Sequence, residues 1–304
     1  MGKASRNKRE SARERIAAQR AAARRAEIRN RMFITGGSIL GVVAIVVAFV
    51  VFKATQSSAG SGSKSSSSNS STGSALSASV IKNLTSVPVA TLNSVGSGSA
   101  YAKSVSAVSA PALTSAGKPE VLYIGAEYCP YCATERWPMV VALSRFGTFS
   151  GLHGIHSKGS PEVYPNTPTV TFYKSSYTSR YLTLATVEEE TVSEATLQKP
   201  TSGQQALITK YDNPPYVSST EADAIPFIDF GGKYLIHGAQ YNPQVLAGKT
   251  WDQVAAALND KTSAIAQGAD GAANMITAAI CKVTNNQPSS VCTTPTIKNL
   301  QGQL

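Results

Sequence analysis

Hydrophobic and polar positions divide the chain into one long apolar block, a polar tether and a body of short patterned segments. Met32–Phe52 (MFITGGSILGVVAIVVAFVVF) runs for 21 residues without a charge. At about 1.5 Å per residue it matches a hydrocarbon core of about 30 Å. Arg29 and Arg31 stand just before it and only Lys53 follows closely, so the positive-inside rule predicts a single-pass signal anchor with a cytoplasmic N-terminus. A cleaved signal peptide is the alternative, but its apolar core usually spans about 7–15 residues. Residues 53–79 are rich in Ser and Gly and read as a flexible linker with a reach of roughly 25–30 Å. Residues 80–115 alternate only weakly, at Val87, Val89 and Thr91, and predict a lead-in with one edge strand.

The body is more legible. Glu120–Ala126 is a short apolar run of strand formers, so it predicts a buried strand. Apolar residues at Trp137, Val140, Val141 and Leu143 then follow a helical spacing. Thr169–Tyr173 and Ser179–Thr186 flank a Ser-Ser turn and predict a hairpin, and Gln204–Tyr211 predicts a helix. Ala224–Phe230 and Tyr234–Ala239 read as two strands joined by Gly231-Gly232. Residues 251–258 (WDQVAAAL) predict an amphipathic helix, and Ala272–Ile280 another. The order of elements predicts an α/β domain over residues 116–260, with a helix and tail over residues 261–304.

Charge changes little in this picture. The net +10 is concentrated in residues 1–31, where eleven Lys and Arg face three Glu, leaving 17 basic against 15 acidic residues elsewhere. The body is therefore not a nucleic-acid-binding domain, and the basic tail serves to fix topology and touch anionic membrane lipid.

The chemistry lies in Cys129-Pro130-Tyr131-Cys132, between the predicted strand and helix. Pro130 suits the first helical position, which makes Cys129 the cap residue, exposed at the positive end of the helix dipole. Backbone N–H groups there favour a thiolate and lower its pKa below the usual 8.5 or so. Cys132, nearly one turn on, is expected on the same side and more buried. A CxxC also binds zinc when two further ligands are present, and the candidates are His153 and His156, or Cys281 and Cys292. Outside the membrane, paired cysteines are ordinarily disulfides, so no metal and no other cofactor is expected.

Strand, CxxC, helix, then X-Pro, strand, turn, strand, glycine and helix is an order that resembles the thioredoxin superfamily. The resemblance implies a cis peptide bond between Ile225 and Pro226 beside the dithiol, and a substrate groove formed by Tyr128, Pro130, Tyr131, Ile225, Pro226 and Gly238. The phrases YIGAEYCPYCATERW, LSRFGTF, VYPNTPT, IPFIDFGGKY and ITAAICK are similar to domain-of-unknown-function family 929, membrane-anchored proteins with a thioredoxin-like domain. Two departures stand out. Tyr123 occupies the place, six residues before Cys129, where thioredoxins commonly carry a buried acid. The chain between Cys132 and Pro226 is also much longer than a minimal thioredoxin needs, which implies a large insertion over about residues 158–222 between the first helix and the cis-proline strand. Glu127, Glu135 and His237 are the candidate modulators of the thiolate or of proton transfer, with a solvated surface role the plainer reading of both glutamates.

Cys281 and Cys292 read as a structural disulfide pinning the tail to a helix, with a relay pair exchanging electrons with Cys129–Cys132 as the sharper reading. Together these features predict a membrane-tethered, extracytoplasmic thiol–disulfide oxidoreductase acting on secreted or membrane proteins with thiols or disulfides. Oxidation or isomerisation is favoured over reduction, and a quinone-linked membrane protein is the expected redox partner. The competing readings are a non-catalytic binding module of the cell envelope and a metal chaperone using the CxxC.

Overall fold

A computed structural model describes residues 73–304, which lie in one compact unit, Ser71–Leu304. The predicted basic tail, the apolar block Met32–Phe52 and most of the linker lie outside the described residues. No helix among the described residues is long and apolar enough to cross a membrane.

The unit is α/β. In chain order it comprises β1 (Ser74–Ala75), α1 (Ala78–Thr85), α2 (Val89–Val95), β2 (Ser106–Ala107), β3 (Thr114–Ser115), β4 (Lys118–Gly125), α3 (Pro130–Leu143), β5 (Gly147–Ser150), β6 (His153–His156), β7 (Pro168–Thr171), β8 (Ser176–Ser179) and β9 (Thr183–Glu188). There follow α4 (Ser202–Tyr211), β10 (Phe227–Phe230), β11 (Tyr234–His237), a 3-10 turn, α5 (Trp251–Ala257), α6 (Ala264–Val283), α7 (Ser289–Cys292) and α8 (Pro295–Gln301).

The main sheet is centred on β4. β10 pairs with it antiparallel and β9 parallel, from Glu120↔Thr183 to Gly125↔Glu188. β11 returns antiparallel on β10 through Gly231 and Gly232, both at positive φ, which is why the predicted Gly-Gly turn requires these residues. Alternation along β4 decides its two faces. Val121 and Tyr123 join the larger core with α3 and α6, while Leu122 and Ile124 pack with Val187 and with Leu207 and Ile208 of α4.

Two expectations are corrected here. The lead-in forms α1 and α2 instead of a strand at Val87–Thr91, because Val80 with Leu84, and Leu92 with Val95, bury at helical spacing against the core. The edge strand lies further on, where β2 pairs with β11. The predicted hairpin is also absent: β7 pairs with β6, β8 with β5, and β9 with β4. The segment over residues 158–222 therefore supplies β9, which pairs with β4 alone, since a parallel neighbour of β4 needs a long crossover.

α3 explains the dithiol's surroundings. Of its fourteen residues only Tyr131 is not buried, so Thr134, Glu135 and Arg136 enter the interior along with Trp137. Pro138 lies inside the helix and has no N–H to offer the carbonyl four residues back. That carbonyl, on Thr134, instead accepts the Tyr241 hydroxyl at 3.0 Å.

A candidate dithiol site

β4 delivers the chain to the N-terminus of α3, where Cys129 is the cap residue with extended backbone (φ −76°, ψ 123°) and Pro130 opens the helix. The Cys132 backbone N–H donates to Cys129 Sγ at 3.4 Å. On its other side Cys129 Sγ lies 3.7 Å from the Ile225 carbonyl oxygen, toward which the thiol donates. The Ile225–Pro226 peptide is cis, and Gly238, at positive φ, donates its N–H to the Pro226 carbonyl at 2.8 Å. The predicted dithiol, proline and glycine thus meet at one place.

The expected exposure of Cys129 is corrected. The residue is 5% exposed and Cys132 is fully buried, and neither is in a disulfide. The cap geometry folds Sγ back onto its own helix while the Ile225 carbonyl closes the other side. Burial pushes the Cys129 thiol up, but the Cys132 thiol, the N–H groups of Cys132 and Tyr131 and the Arg136 charge outweigh it and bring the pKa below its ordinary value. Cys132 moves the opposite way: burial, and then its neighbour Cys129, hold it well above the usual thiol range. The pair is therefore split into a sulfur that ionises readily and one that resists.

Tyrosines rim the opening. Tyr131 is 38% exposed and meets Tyr164 edge to face with centroids 6.0 Å apart. Burial with neighbouring Tyr164, Cys129, Tyr101 and Glu162 raises its phenol to about 12. The half-buried Tyr128 accepts the Lys158 N–H at its carbonyl, 2.9 Å away, so the segment carrying Lys158 and Tyr164 forms one wall of the site.

Behind the sulfurs lies a polar group that the sequence did not disclose. Arg136 and Glu188 are fully buried and paired in two parallel bonds, Nε to Oε1 at 2.8 Å and Nη2 to Oε2 at 2.6 Å. Nη2 also reaches the Ala126 carbonyl at 2.8 Å. The signal available was Arg136 four residues after Cys132 on the same helix face. Its charge is the one that lowers both thiols.

The three expected modulators have partners of their own. Glu127 and Glu135 are buried instead of solvated, because α3 is covered on nearly every side. Glu127 accepts the Thr171 hydroxyl at 2.8 Å and Glu135 accepts the Gln240 N–H at 2.9 Å. Burial raises both carboxyls above their usual range, Glu135 well above it. His237 turns its Nε2 toward the Tyr211 carbonyl at 3.1 Å and Asp212 at 3.6 Å. Burial lowers its pKa, which disfavours the imidazolium.

Cys281 at the end of α6 and Cys292 in α7 form a disulfide with a Cα separation of 5.4 Å, so they are spent on each other. His156 packs against the Trp251 ring with centroids 4.6 Å apart, and His153 Nδ1 lies 2.8 Å from the Gly151 carbonyl. Among the described residues no group of three or more His, Cys, Asp or Glu is placed to hold a metal ion.

The sequence matches the family described as a domain of unknown function (DUF929) over residues 104–282. No curated protein and no solved structure matches the chain.

Proposed function

The chain belongs to the DUF929 family, and we propose that this member is a thioredoxin-like thiol–disulfide oxidoreductase held outside the cell membrane by the apolar segment Met32–Phe52. The observation that carries the reading is the Cys129 sulfur, capping α3 and facing the carbonyl of the cis Ile225–Pro226 peptide at 3.7 Å. The order of β4, dithiol, α3, proline strand, turn and β11 supports the thioredoxin-like fold.

In the oxidised dithiol, a substrate thiolate attacks Cys129 Sγ. The Cys129–Cys132 bond breaks, a mixed disulfide forms on Cys129, and Cys132 leaves as a thiolate that takes a proton. A second substrate thiolate then attacks the substrate sulfur of the mixed disulfide, and Cys129 leaves as the stabilised thiolate. The substrate loses two electrons and two protons; the dithiol gains both electrons and one proton, at Cys132, and the other proton goes to solvent while Cys129 remains a thiolate. A low Cys129 pKa stabilises the reduced protein and so makes the oxidised form a better oxidant, which favours oxidation or isomerisation over reduction. A quinone-linked membrane protein is the class of acceptor that restores the disulfide.

The 5% exposure of Cys129 favours a rival, a non-catalytic binding module of the cell envelope. Alkylation and turnover separate the two. The oxidoreductase reading expects iodoacetamide to trap Cys129 with a half-point below that of a free thiol, about 8.5. It also expects Cys129→Ser to slow oxidation of a small reduced disulfide protein at least about a thousandfold, on the scale of losing a nucleophile. Ordinary thiol titration with no exchange would overturn it in favour of the binding module.

A further inference from the structure

Tyr123 is fully buried on the α3 side of β4. Its ring meets Phe172 edge to face at 5.0 Å and lies 5.7 Å from the Arg136 guanidinium carbon. Its hydroxyl nevertheless has no hydrogen-bond partner, although a buried phenol usually finds one. Gly125 shows where that hydroxyl is aimed. A Cβ at residue 125 would stand 2.3 Å from the Tyr123 hydroxyl and 3.0 Å from Cys132 Sγ. Phenol and sulfur thus line one small space that stays open because residue 125 is glycine. The backbone at Gly125 does not itself call for glycine, since its φ is not among the positive ones.

We propose that the Tyr123 hydroxyl is a dedicated hydrogen-bond donor to Cys132 whenever that sulfur carries negative charge, and that Gly125 is kept without a side chain to admit it. The proposal rests on the dithiol exchange argued above, in which Cys132 leaves as a thiolate, and it is read out in the reverse direction of that same step. With a mixed disulfide on Cys129, Cys132 loses its proton and attacks Cys129 Sγ. The bond from Cys129 to the substrate sulfur breaks, and the departing substrate thiolate takes up the proton. No outside oxidant is needed, because the electron pair of the broken bond leaves with the substrate sulfur.

Arg136 from α3 and Glu188 from β9 are the charged groups beside the phenol, with Cys129 the other titratable neighbour. Burial first, and then the neighbouring thiols and Glu188, keep Tyr123 protonated far above neutral pH, against the opposing pull of Arg136. It therefore donates a hydrogen bond and does not act as a base. Arg136 Nη1, also without a partner, adds positive potential on the same side.

The test is single turnover of the reduced protein with an aromatic disulfide that releases a coloured thiolate. The first release reports attack by Cys129, and the second reports resolution by Cys132. A hydrogen bond to a charged group is worth enough that Tyr123→Phe should slow the second release about ten- to a hundredfold. The first release should stay unchanged. The half-point of the second release against pH should rise by about one unit or more, the equivalent of a tenfold loss. Gly125→Ala, which displaces the phenol, should act in the same direction.

A second release as fast in Tyr123→Phe as in the parent overturns the inference while leaving exchange intact. Equal slowing of both releases also overturns it, since that marks a merely structural role. Release of only one thiolate by the parent protein overturns the proposed function itself.

Discussion

The two cysteine pairs differ little in burial and almost completely in surroundings. Cys129 and Cys132 are 5% and 0% exposed, and Cys281 and Cys292 are both 0%. The second pair packs among Ile280, Ile297 and Leu300 in the main core. Among the described residues, no buried side-chain nitrogen or oxygen from Cys281 onward lacks a hydrogen-bond partner. Beside the first pair and along its helix, the Tyr123 hydroxyl, Arg136 Nη1 and one Glu135 oxygen all lack partners. Burial alone thus does not separate the disulfide pair from the free pair. Under the proposed function, the Tyr123 hydroxyl and Arg136 Nη1 beside the free pair are donors available to a charge that appears only during reaction.

The harshest way to break this comparison is to unbalance the polar wall. Glu188→Gln leaves the Arg136 guanidinium buried without its counter-charge, and removing one partner of a buried pair costs about 3–5 kcal/mol. Urea unfolding should show that loss. The surviving variant should have its Cys129 alkylation half-point lowered further, because the carboxylate no longer offsets the cation. Unchanged stability would mean that the pair is not the scaffold of the site.

The second pair offers the next largest effect. Cys281→Ser with Cys292→Ser opens a loop of eleven-residue separation, worth about 3 kcal/mol by the chain-entropy relation. Thermal or urea unfolding should register the loss, while both thiolate releases at Cys129 and Cys132 keep their rates. A change in those rates would break the comparison in favour of a relay between the pairs.

What the sequence disclosed, and what it hid, follows the range of the interactions. The dithiol's position was legible because cap, Pro130 and the apolar run of β4 are neighbours in the chain, and the β10–β11 turn because Gly231 and Gly232 sit side by side. The α/β character followed from the same local patterns. The pairing of β7, β8 and β9 was not legible: Thr169–Tyr173 and Ser179–Thr186 carry strand character, but nothing local names the partner of either. β9 finds β4 across the whole of α3 and two further strand pairs. The charged interior was hidden for a similar reason. Glu and Arg are seldom fully buried unless paired, and Arg136 meets its partner 52 residues away. Glu135 was misjudged because α3 shows an amphipathic pattern yet is covered on nearly every side. α1 and α2 were missed because only two buried residues each mark their faces in a Ser- and Ala-rich stretch.

Asp270 gives the smallest effect and sharpens the comparison most, because its helix, α6, also carries Cys281. It is fully buried, neither carboxylate oxygen has a hydrogen-bond partner, and burial raises its pKa to about 8. It also shares the electrostatic surroundings of Tyr241 with Glu135, so one helix joins the side with unpartnered buried atoms to the disulfide side. The folded protein holds this carboxyl protonated, whereas the unfolded chain ionises it near pH 4. Its contribution to stability is therefore complete below about pH 4 and is lost as pH rises toward about 8. Asn mimics the neutral carboxyl and has no such loss. Asp270→Asn should match the parent at pH 4 and exceed its stability at pH 8 by at least about 1.4 kcal/mol, the equivalent of one pKa unit. Asp212 and Asp229 titrate in the same direction in both proteins, so the difference between the two unfolding curves isolates Asp270. A constant difference across that range would mean that Asp270 is ionised in the folded protein, and the region of unpartnered buried atoms would then end at α3.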